Sequence, residues 1–355
     1  MNSETQYDAN AWAYAYGAPT ATAIIRHTAD DFIVEETLGF EPEGVGEHLF
    51  VKLRKRDANT EWVAKQLQQF AQLEASDVGF AGLKDRHALT TQTFSLNFSG
   101  RELPDWSAFS CEGVEIVSLK RHPRKLKRGT LRGNRFTLTL RELSESPQQL
   151  EPRLRQLQAG GVPNYFGPQR FGRHFANLER AAKLFSGELR VKDRHLRGLF
   201  LSAARAWIFN ELLSMRLAQP DWQRLQLGDL PIYEGSSRPL IALQADDPRL
   251  LSPPADLHPS GPMWGAGELA SAAAVAAAEA AVAARYPLFC SGLAAAGLKQ
   301  ERRLLLIPLQ SLTWKWLAET VLQLSFDLPA GSYATAVLRE LIQTTPAAAL
   351  PVDEF

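Results

Sequence analysis

The sequence predicts an α+β fold in which a sheet is interrupted by a helical segment. Before residue 160, apolar and polar residues alternate along several short segments, which is the period of a half-buried strand. Between residues 161 and 300 the helical period dominates, and strand-like segments return from residue 301. We therefore infer a discontinuous α+β domain of residues 1–160 and 301–355, interrupted by an insertion domain of residues 161–300.

The first part of the chain consists of predicted strands around one helix. The helix should begin at Asn59 or Thr60, because either is a good N-cap and apolar residues follow at helical spacing. A second helix near residues 149–159 should end at Gly160-Gly161. The strands are predicted at residues 21–27, 31–36, from Glu47, at 78–80, 91–98, 113–119 and from Arg135.

The middle of the chain is rich in helices, and residues 219–263, with many Pro, Asp and Gly, show few periodic features. An alanine-rich run from Leu269 carries Glu279 and Arg285, so we interpret it as a helix of a soluble protein rather than a membrane span. After residue 301, the strand-like segments LLLIPL and ETVLQLSFDL precede a helix predicted from Ser332 through Ile342.

Composition and missing motifs limit the class of protein. The chain has 355 residues, 45% of them hydrophobic, and two widely separated cysteines, Cys111 and Cys290, that we interpret as reduced thiols in a cytoplasmic protein. Its N-terminus lacks the pattern of a signal peptide. It has no Walker loop, GxGxxG, CxxC, HExxH or GxSxG motif, so nucleotide, dinucleotide, zinc and serine-hydrolase functions have no support.

A basic stripe, defined as Lys120–Arg135, holds eight Lys or Arg and no acid, although the formal net charge of the chain is zero. Pro123 should prevent a helix, so we expect an exposed segment between two strands. Such a stripe suits a polyanion that binds one face of the protein. The alternative is a solvated hairpin without a ligand.

The stretch GFAGLKDRHALTTQ, from Gly79 to Gln92, predicts a strand, a turn and a second strand with Asp85 at the tip. Lys84 and Arg86 flank Asp85, so its carboxylate should stay ionised and could act as a nucleophile or a base. The alternative is an ordinary turn aspartate between solvated charges.

Within this stretch, FAG-x-KDR-x-A-x-T-x-Q resembles the active-site motif of the tRNA pseudouridine synthase D (TruD) family. The resemblance implies a pseudouridine synthase-type mixed, mainly antiparallel sheet with flanking helices, interrupted by an α-rich TRUD insertion domain. Further blocks resemble the family's other motifs in the family's order, namely DFIVEE from Asp31, GVGEH from Gly44, GNRFTL from Gly133, GVPNYFGPQRFG from Gly161 and LPAGSYATAVLREL from Leu328.

The resemblance implies an isomerase that converts a uridine in tRNA, uridine 13 in this family, to pseudouridine. The N1–C1′ bond breaks and a C5–C1′ bond forms, so no cofactor, metal or redox change is expected. The uridine must first leave its stack, and aromatic side chains can then hold it. By motif matching we expect Asp85 to be catalytic; Phe32, Asn134 and Phe326 to bind the substrate; and Arg26, Phe136 and Lys84 to support them.

Each of these assignments has an alternative. Phe32 and Phe326 lie in strand-like segments where phenylalanine is usually core, and the Gly133-Asn134 pair is typical of a turn. Arg26 stands where many family members have lysine, so Lys84 or Arg86 could replace it as the partner of Asp85.

For the whole chain, the alternatives are an RNA-binding or RNA-folding protein without catalysis and a uridine isomerase acting on another RNA. A glycoside hydrolase usually needs two placed carboxylates, and no second one lies in a family-matched position. We expect tRNA as partner, no membrane, no nucleotide cofactor and a monomer.

Overall fold

The computed structural model of the chain describes residues 7–127 and 129–346, which form sixteen strands and seven α-helices. The strands are β1 (Thr22–Ile25), β2 (Phe32–Leu38), β3 (His48–Arg56), β4 (Val78–Phe80), β5 (Leu89–Asn97), β6 (Val114–His122), β7 (Leu131–Leu140), β8 (Val162–Pro163), β9 (Ile232–Tyr233), β10 (Leu257–His258), β11 (Ser260–Met263), β12 (Glu301–Leu304), β13 (Leu306–Ile307), β14 (Thr313–Ala318), β15 (Val321–Pro329) and β16 (Gln343–Pro346). The helices are α1 (Thr60–Phe70), α2 (Pro147–Gly160), α3 (Ala176–Phe185), α4 (Arg194–Leu217), α5 (Ala273–Arg285), α6 (Pro287–Ala295) and α7 (Ala334–Leu341).

The chain divides into two compact units, each built from three segments. The sheet unit comprises Thr20–Ala159, Leu309–Gly331 and Leu341–Phe355. The helical unit comprises Met1–Pro19, Gly160–Pro308 and Ser332–Glu340. The predicted domains were residues 1–160 with 301–355, and residues 161–300. The two units differ from these bounds mainly at the two ends of the chain. The assignment of a catalytic and an insertion domain stays a prediction.

An eight-stranded sheet forms the centre of the sheet unit. Seven strands follow the order β14-β15-β7-β2-β5-β3-β6, and β4 pairs with β5 beside this path. Strands β2 and β5 are parallel, whereas the other pairs are antiparallel. The predicted α+β fold with a mixed, mainly antiparallel sheet is therefore confirmed. The first strand of the chain, β1, pairs instead with β16 in a separate parallel ladder.

Helix α1 covers part of this sheet because strand and helix periods place apolar residues on facing surfaces. Leu49, Val51 and Leu53 alternate along β3, and they share one buried cluster with Val63 and Leu67 of α1. The helix begins at the predicted cap, because Asn59 Oδ1 accepts a hydrogen bond from the Glu61 N–H at 2.8 Å. Helix α2 ends at Gly160, as predicted.

The basic stripe is not a hairpin. Strand β6 pairs with β3, whereas β7 pairs with β2 and β15, so the connection between β6 and β7 crosses the sheet unit. Leu126 is buried in this connection, and its N–H donates to Ser95 Oγ at 2.9 Å. Arg124 and Lys127 are exposed. The stripe also includes Arg128, which lies outside the described residues.

The later strands include one predicted segment and one that was not predicted. The LLLIPL segment lies in β12 and β13, which pair with β11 and β8 inside the helical unit rather than with the eight-stranded sheet. Strand β14, which forms an edge of that sheet, was not predicted from its sequence TWKWLA. Its two tryptophans and a lysine obscure the strand period, and its pairing with β15 is what makes it a strand.

The helical unit packs around α4, whose buried residues include Trp207 and Phe209. In the alanine-rich helix α5, the Glu279 carboxylate is buried and lies 2.8 Å from an Arg302 guanidinium nitrogen. Over the described ranges, no single helix is long and apolar enough to cross a bilayer. Helices α5 and α6 are long and apolar enough only when they are taken together, and they are bent by 95° at their junction.

Candidate active site

Asp85 lies in the connection between β4 and β5, so the predicted strand, turn and strand are confirmed. Its carboxylate is half exposed, with 52% of the side-chain surface accessible. Side chains from α1 and β5 hold the connection in place. Gln92 Nε2 donates to Gly82 O at 2.7 Å, and the Lys84 N–H donates to Thr60 Oγ1 at 3.0 Å. The Thr60 hydroxyl in turn donates to Gln92 Oε1 at 3.1 Å.

Arg26 is the cation that pairs with Asp85. Its Nη2 donates to Asp85 Oδ2 at 3.0 Å, and its guanidinium carbon lies 4.1 Å from the centre of the Phe32 ring. Arg26 directly follows β1 and has a φ of 57°, a left-handed conformation that is uncommon for a residue with a side chain. The Phe32 ring thus holds the guanidinium by a cation–π contact while the guanidinium holds the carboxylate.

Lys84 pairs with a different carboxylate. Its Nζ lies 3.1 Å from Glu36 Oε1 and donates to Asn134 Oδ1 at 2.8 Å, and both side chains of the ion pair are buried. The other Glu36 oxygen accepts from the Thr93 N–H at 2.9 Å. An ammonium group only donates hydrogen bonds, so the amide oxygen of Asn134 must face Lys84. The Asn134 amide nitrogen, which has no partner among the described residues, stays available as a donor.

Three phenylalanine rings lie side by side next to this network. Phe136 contacts Phe32 edge to face, with centroids 6.2 Å apart, and stacks on Phe326 at 5.6 Å. Phe32 and Phe136 expose 2% and 7% of their surface, whereas Phe326 exposes none. Phe326 therefore supports the Phe136 ring from the buried side, and it has no free surface in this arrangement.

Sequence reasoning missed two charged residues at the site, Lys55 and Glu36. Lys55 Nζ donates to Ala58 O at 2.6 Å and to Asp85 O at 3.2 Å. Burial lowers the pKa of Lys55 to about 8, against an opposing effect of the Asp85 charge. Strand alternation alone would have indicated that both side chains are buried. Lys55 follows Leu53 on the inner face of β3, and Glu36 shares one face of β2 with Phe32.

The chain resembles known proteins along nearly its whole length. The family model described as tRNA pseudouridine synthase D (TruD) matches residues 8–188 and 175–341. A tRNA pseudouridine synthase D from Aeromonas hydrophila subsp. hydrophila is 46% identical over 337 residues, which cover 94% of this chain and 95% of that protein. One from Hydrogenovibrio crunogenus is 44% identical over 334 residues, covering 94% and 96%.

A crystal structure described as that of a tRNA pseudouridine synthase D (TruD) from Methanosarcina mazei has the same fold. The TM-score is 0.70 at 22% sequence identity, and the match covers 93% of this chain and 95% of that one. The family match and the identities above 40% over almost the full length show that the chain belongs to the tRNA pseudouridine synthase D (TruD) family.

Proposed function

We propose that the chain converts uridine 13 of tRNA to pseudouridine with Asp85 as the catalytic carboxylate. Membership of the TruD family makes it a tRNA pseudouridine synthase, which is an isomerase. We also propose that the protein is a monomer, uses no nucleotide cofactor and acts in the cytoplasm. The free thiols of Cys111 and Cys290 suit that reducing compartment.

The ion pair between Asp85 and Arg26 is the observation that carries this proposal. The reaction breaks the N1–C1′ bond and joins C5 to C1′, and an ionised carboxylate can promote it by attacking C1′ or by removing a sugar proton. Asp85 has the required exposure, and the Arg26 guanidinium lies 3.0 Å from its Oδ2. Because Arg26 approaches Oδ2, the other carboxylate oxygen is left for the substrate.

Asn134 supplies a means to recognise the base. Its amide nitrogen is a donor and can bind the O4 carbonyl oxygen of uracil, whereas cytosine has an exocyclic amine at that position and offers no acceptor. Lys84 and Glu36 fix the amide in this orientation. We propose that Asn134, Phe32 and Phe136 contact the extruded uridine, with Phe326 supporting Phe136.

The second carboxylate near the site does not favour a glycoside hydrolase. Such enzymes use one carboxyl group as an acid and another as a base or nucleophile, on opposite sides of the sugar. Glu36 is buried, pairs with Lys84 and accepts a backbone hydrogen bond from Thr93. Both of its oxygens are thus occupied within the protein.

The experiment compares the wild type, Asp85→Asn and the control Asp30→Asn on tRNA from cells that lack the gene. Asn keeps the size of the side chain but removes the charge, so conversion should fall by at least roughly 10³-fold. Asp30 makes an exposed ion pair with Arg56 in the same unit, and its variant should behave as wild type. Pseudouridine is mapped at single-nucleotide resolution, and tRNA binding is measured in parallel.

Conversion by Asp85→Asn at the wild-type rate would contradict the role of Asp85. Pseudouridine formed by the wild type at another tRNA position, or only in another RNA, would contradict the assignment of uridine 13. Retained tRNA binding by the inactive Asn variant is expected, because the substitution removes no cation.

A further inference from the structure

Lys55 is a buried amine directly beneath Asp85. It exposes 0% of its surface, and its Nζ donates to the backbone oxygens of Ala58 and Asp85 at 2.6 and 3.2 Å. Within residues 7–127 and 129–346, no carboxylate lies within ion-pair distance of this amine. A charge in such a place is costly, because burial removes its hydration and neutral carbonyl groups replace only part of it.

An apolar residue would satisfy the strand at this position. Leu49, Val51 and Leu53 precede Lys55 on the inner face of β3 and pack against α1. Continuing that pattern with leucine or methionine would extend the apolar core without burying a charge. The lysine therefore needs an explanation other than the packing of the sheet.

The two hydrogen bonds of Lys55 join three separate segments. The side chain comes from β3, Ala58 O lies in the connection that leads to α1, and Asp85 O lies in the connection between β4 and β5. In the connection between β4 and β5, Gln92 and Thr60 form hydrogen bonds with the backbone of Gly82 and Lys84, whereas Lys55 binds the peptide of Asp85 itself. It therefore fixes the backbone from which the carboxylate extends.

We propose that Lys55, in its protonated form, is a positioning residue that holds the Asp85 peptide so that the carboxylate stays against Arg26. This inference rests on the proposed catalytic function of Asp85. Lys55 does not touch the substrate; its ammonium group sets the place of the main chain and adds a positive charge beneath the carboxylate.

The surrounding charges make this role dependent on pH. Burial is the largest effect and lowers the pKa of Lys55 from 10.5 to about 8, Asp85 and Asp57 raise it, and Lys84 lowers it. Lys55 is therefore charged below about pH 8 and neutral above it. Loss of the proton removes the positive charge, and the neutral amine donates more weakly to the Asp85 carbonyl. Activity should accordingly decline on the alkaline side from about pH 8.

The test compares Lys55→Met and Lys55→Arg with Lys52→Met, in which an exposed lysine of the same strand is replaced. kcat and KM for tRNA are measured from pH 6.5 to pH 9.5. At pH 7, Lys55→Met should lose at least about tenfold in kcat, with KM within about threefold of the wild type. It should also lack the wild-type decline near pH 8. Lys55→Arg should keep its activity to higher pH, since guanidinium does not titrate there.

A second measurement needs no tRNA. Hydrogen exchange of the amides at residues 81–88, corrected for intrinsic rates, should be faster in Lys55→Met than in the wild type, while Lys52→Met should match the wild type. Unchanged exchange, an unchanged kcat or an unchanged alkaline limb in folded Lys55→Met would overturn the proposal. If the wild type converts no uridine, the proposed function fails, and the exchange measurement still decides whether Lys55 holds the Asp85 segment.

Discussion

At the scale of single residues, the candidate site separates its charges into two pairs. Arg26 binds Asp85 at the surface, whereas Lys84 binds Glu36 in the interior. Lys84 is adjacent to Asp85 in the chain, yet its ammonium group points to Asn134. The two neighbouring side chains therefore have different partners, so adjacency in the sequence alone does not identify an ion-pair partner.

The Arg26 pair predicts a graded effect of substitution. Arg26→Met removes the charge that holds Asp85, and kcat should fall about tenfold or more, which corresponds to roughly 1.4 kcal/mol of transition-state stabilisation. Arg26→Lys keeps the charge but loses the fixed guanidinium plane on Phe32, so it should retain most of the activity. Steady-state kinetics on tRNA will show the difference.

The control for Arg26 is Arg56→Met, which removes another exposed guanidinium that pairs with an aspartate. It should leave kcat within about twofold, because exposed ion pairs contribute little. Equal activities of Arg26→Met and Arg56→Met would show that Asp85 does not depend on Arg26.

The sequence indicated part of this site. Asp85, Arg26 and Phe32 were expected at the site because the segments that contain them resemble motifs of the TruD family. Lys55 and Glu36 were missed because a charged residue in a strand is normally assumed to face solvent. Only the pairing of β3 with β5 and of β2 with β7 brings them beneath Asp85 and Asn134, and pairing depends on contacts that are distant in sequence.

At the scale of elements, the connection between β6 and β7 lies directly on β4. A Cβ atom at Gly79 would lie 2.4 Å from Leu126 O and 2.7 Å from Ser95 Oγ. The Leu126 N–H bonds to that same hydroxyl, and the Gly129 N–H donates to Ala81 O at 3.3 Å. The connection thus runs beside the segment that carries Asp85, a position that charge and turn residues alone do not reveal.

This close approach predicts that Gly79→Ala will destabilise the sheet unit. The methyl group must push the backbone of the connection away from β4, and overpacking of this kind typically costs about 1–3 kcal/mol. Urea unfolding should show that loss of free energy. Gly82→Ala is the matched control, because a Cβ atom there meets nothing within 4 Å, and its effect should stay within about 0.5 kcal/mol. Equal stability of the two variants would mean that the connection moves freely.

At the scale of the whole molecule, the order of sheet, helices and sheet was predictable because strand and helix periods are local properties. The limits of the two units were less so. Residues 301–307 have a strand pattern that would suit either unit, and they belong to the helical unit because β11 and β8 are their partners. Helix α7 also belongs to the helical unit, although the strand that precedes it belongs to the eight-stranded sheet.

The basic stripe yields the last prediction, which concerns the binding of tRNA as a whole. Arg124 and Lys127 are exposed in the connection that lies beside the Asp85 segment, whereas Lys125 Nζ donates a hydrogen bond to Ser76 O at 2.6 Å. If both exposed cations bind phosphates, Arg124→Ser with Lys127→Ser should weaken tRNA binding and reduce the slope of log K against log salt by roughly 1.4–1.8. Conversion at saturating tRNA should stay near the wild-type rate, because neither residue lies in the proposed uridine site. Lys65→Ser with Arg155→Ser removes the same charge from α1 and α2 and is the control. A slope that is unchanged in the stripe variant, or lowered equally in the control, would show that tRNA phosphates bind elsewhere.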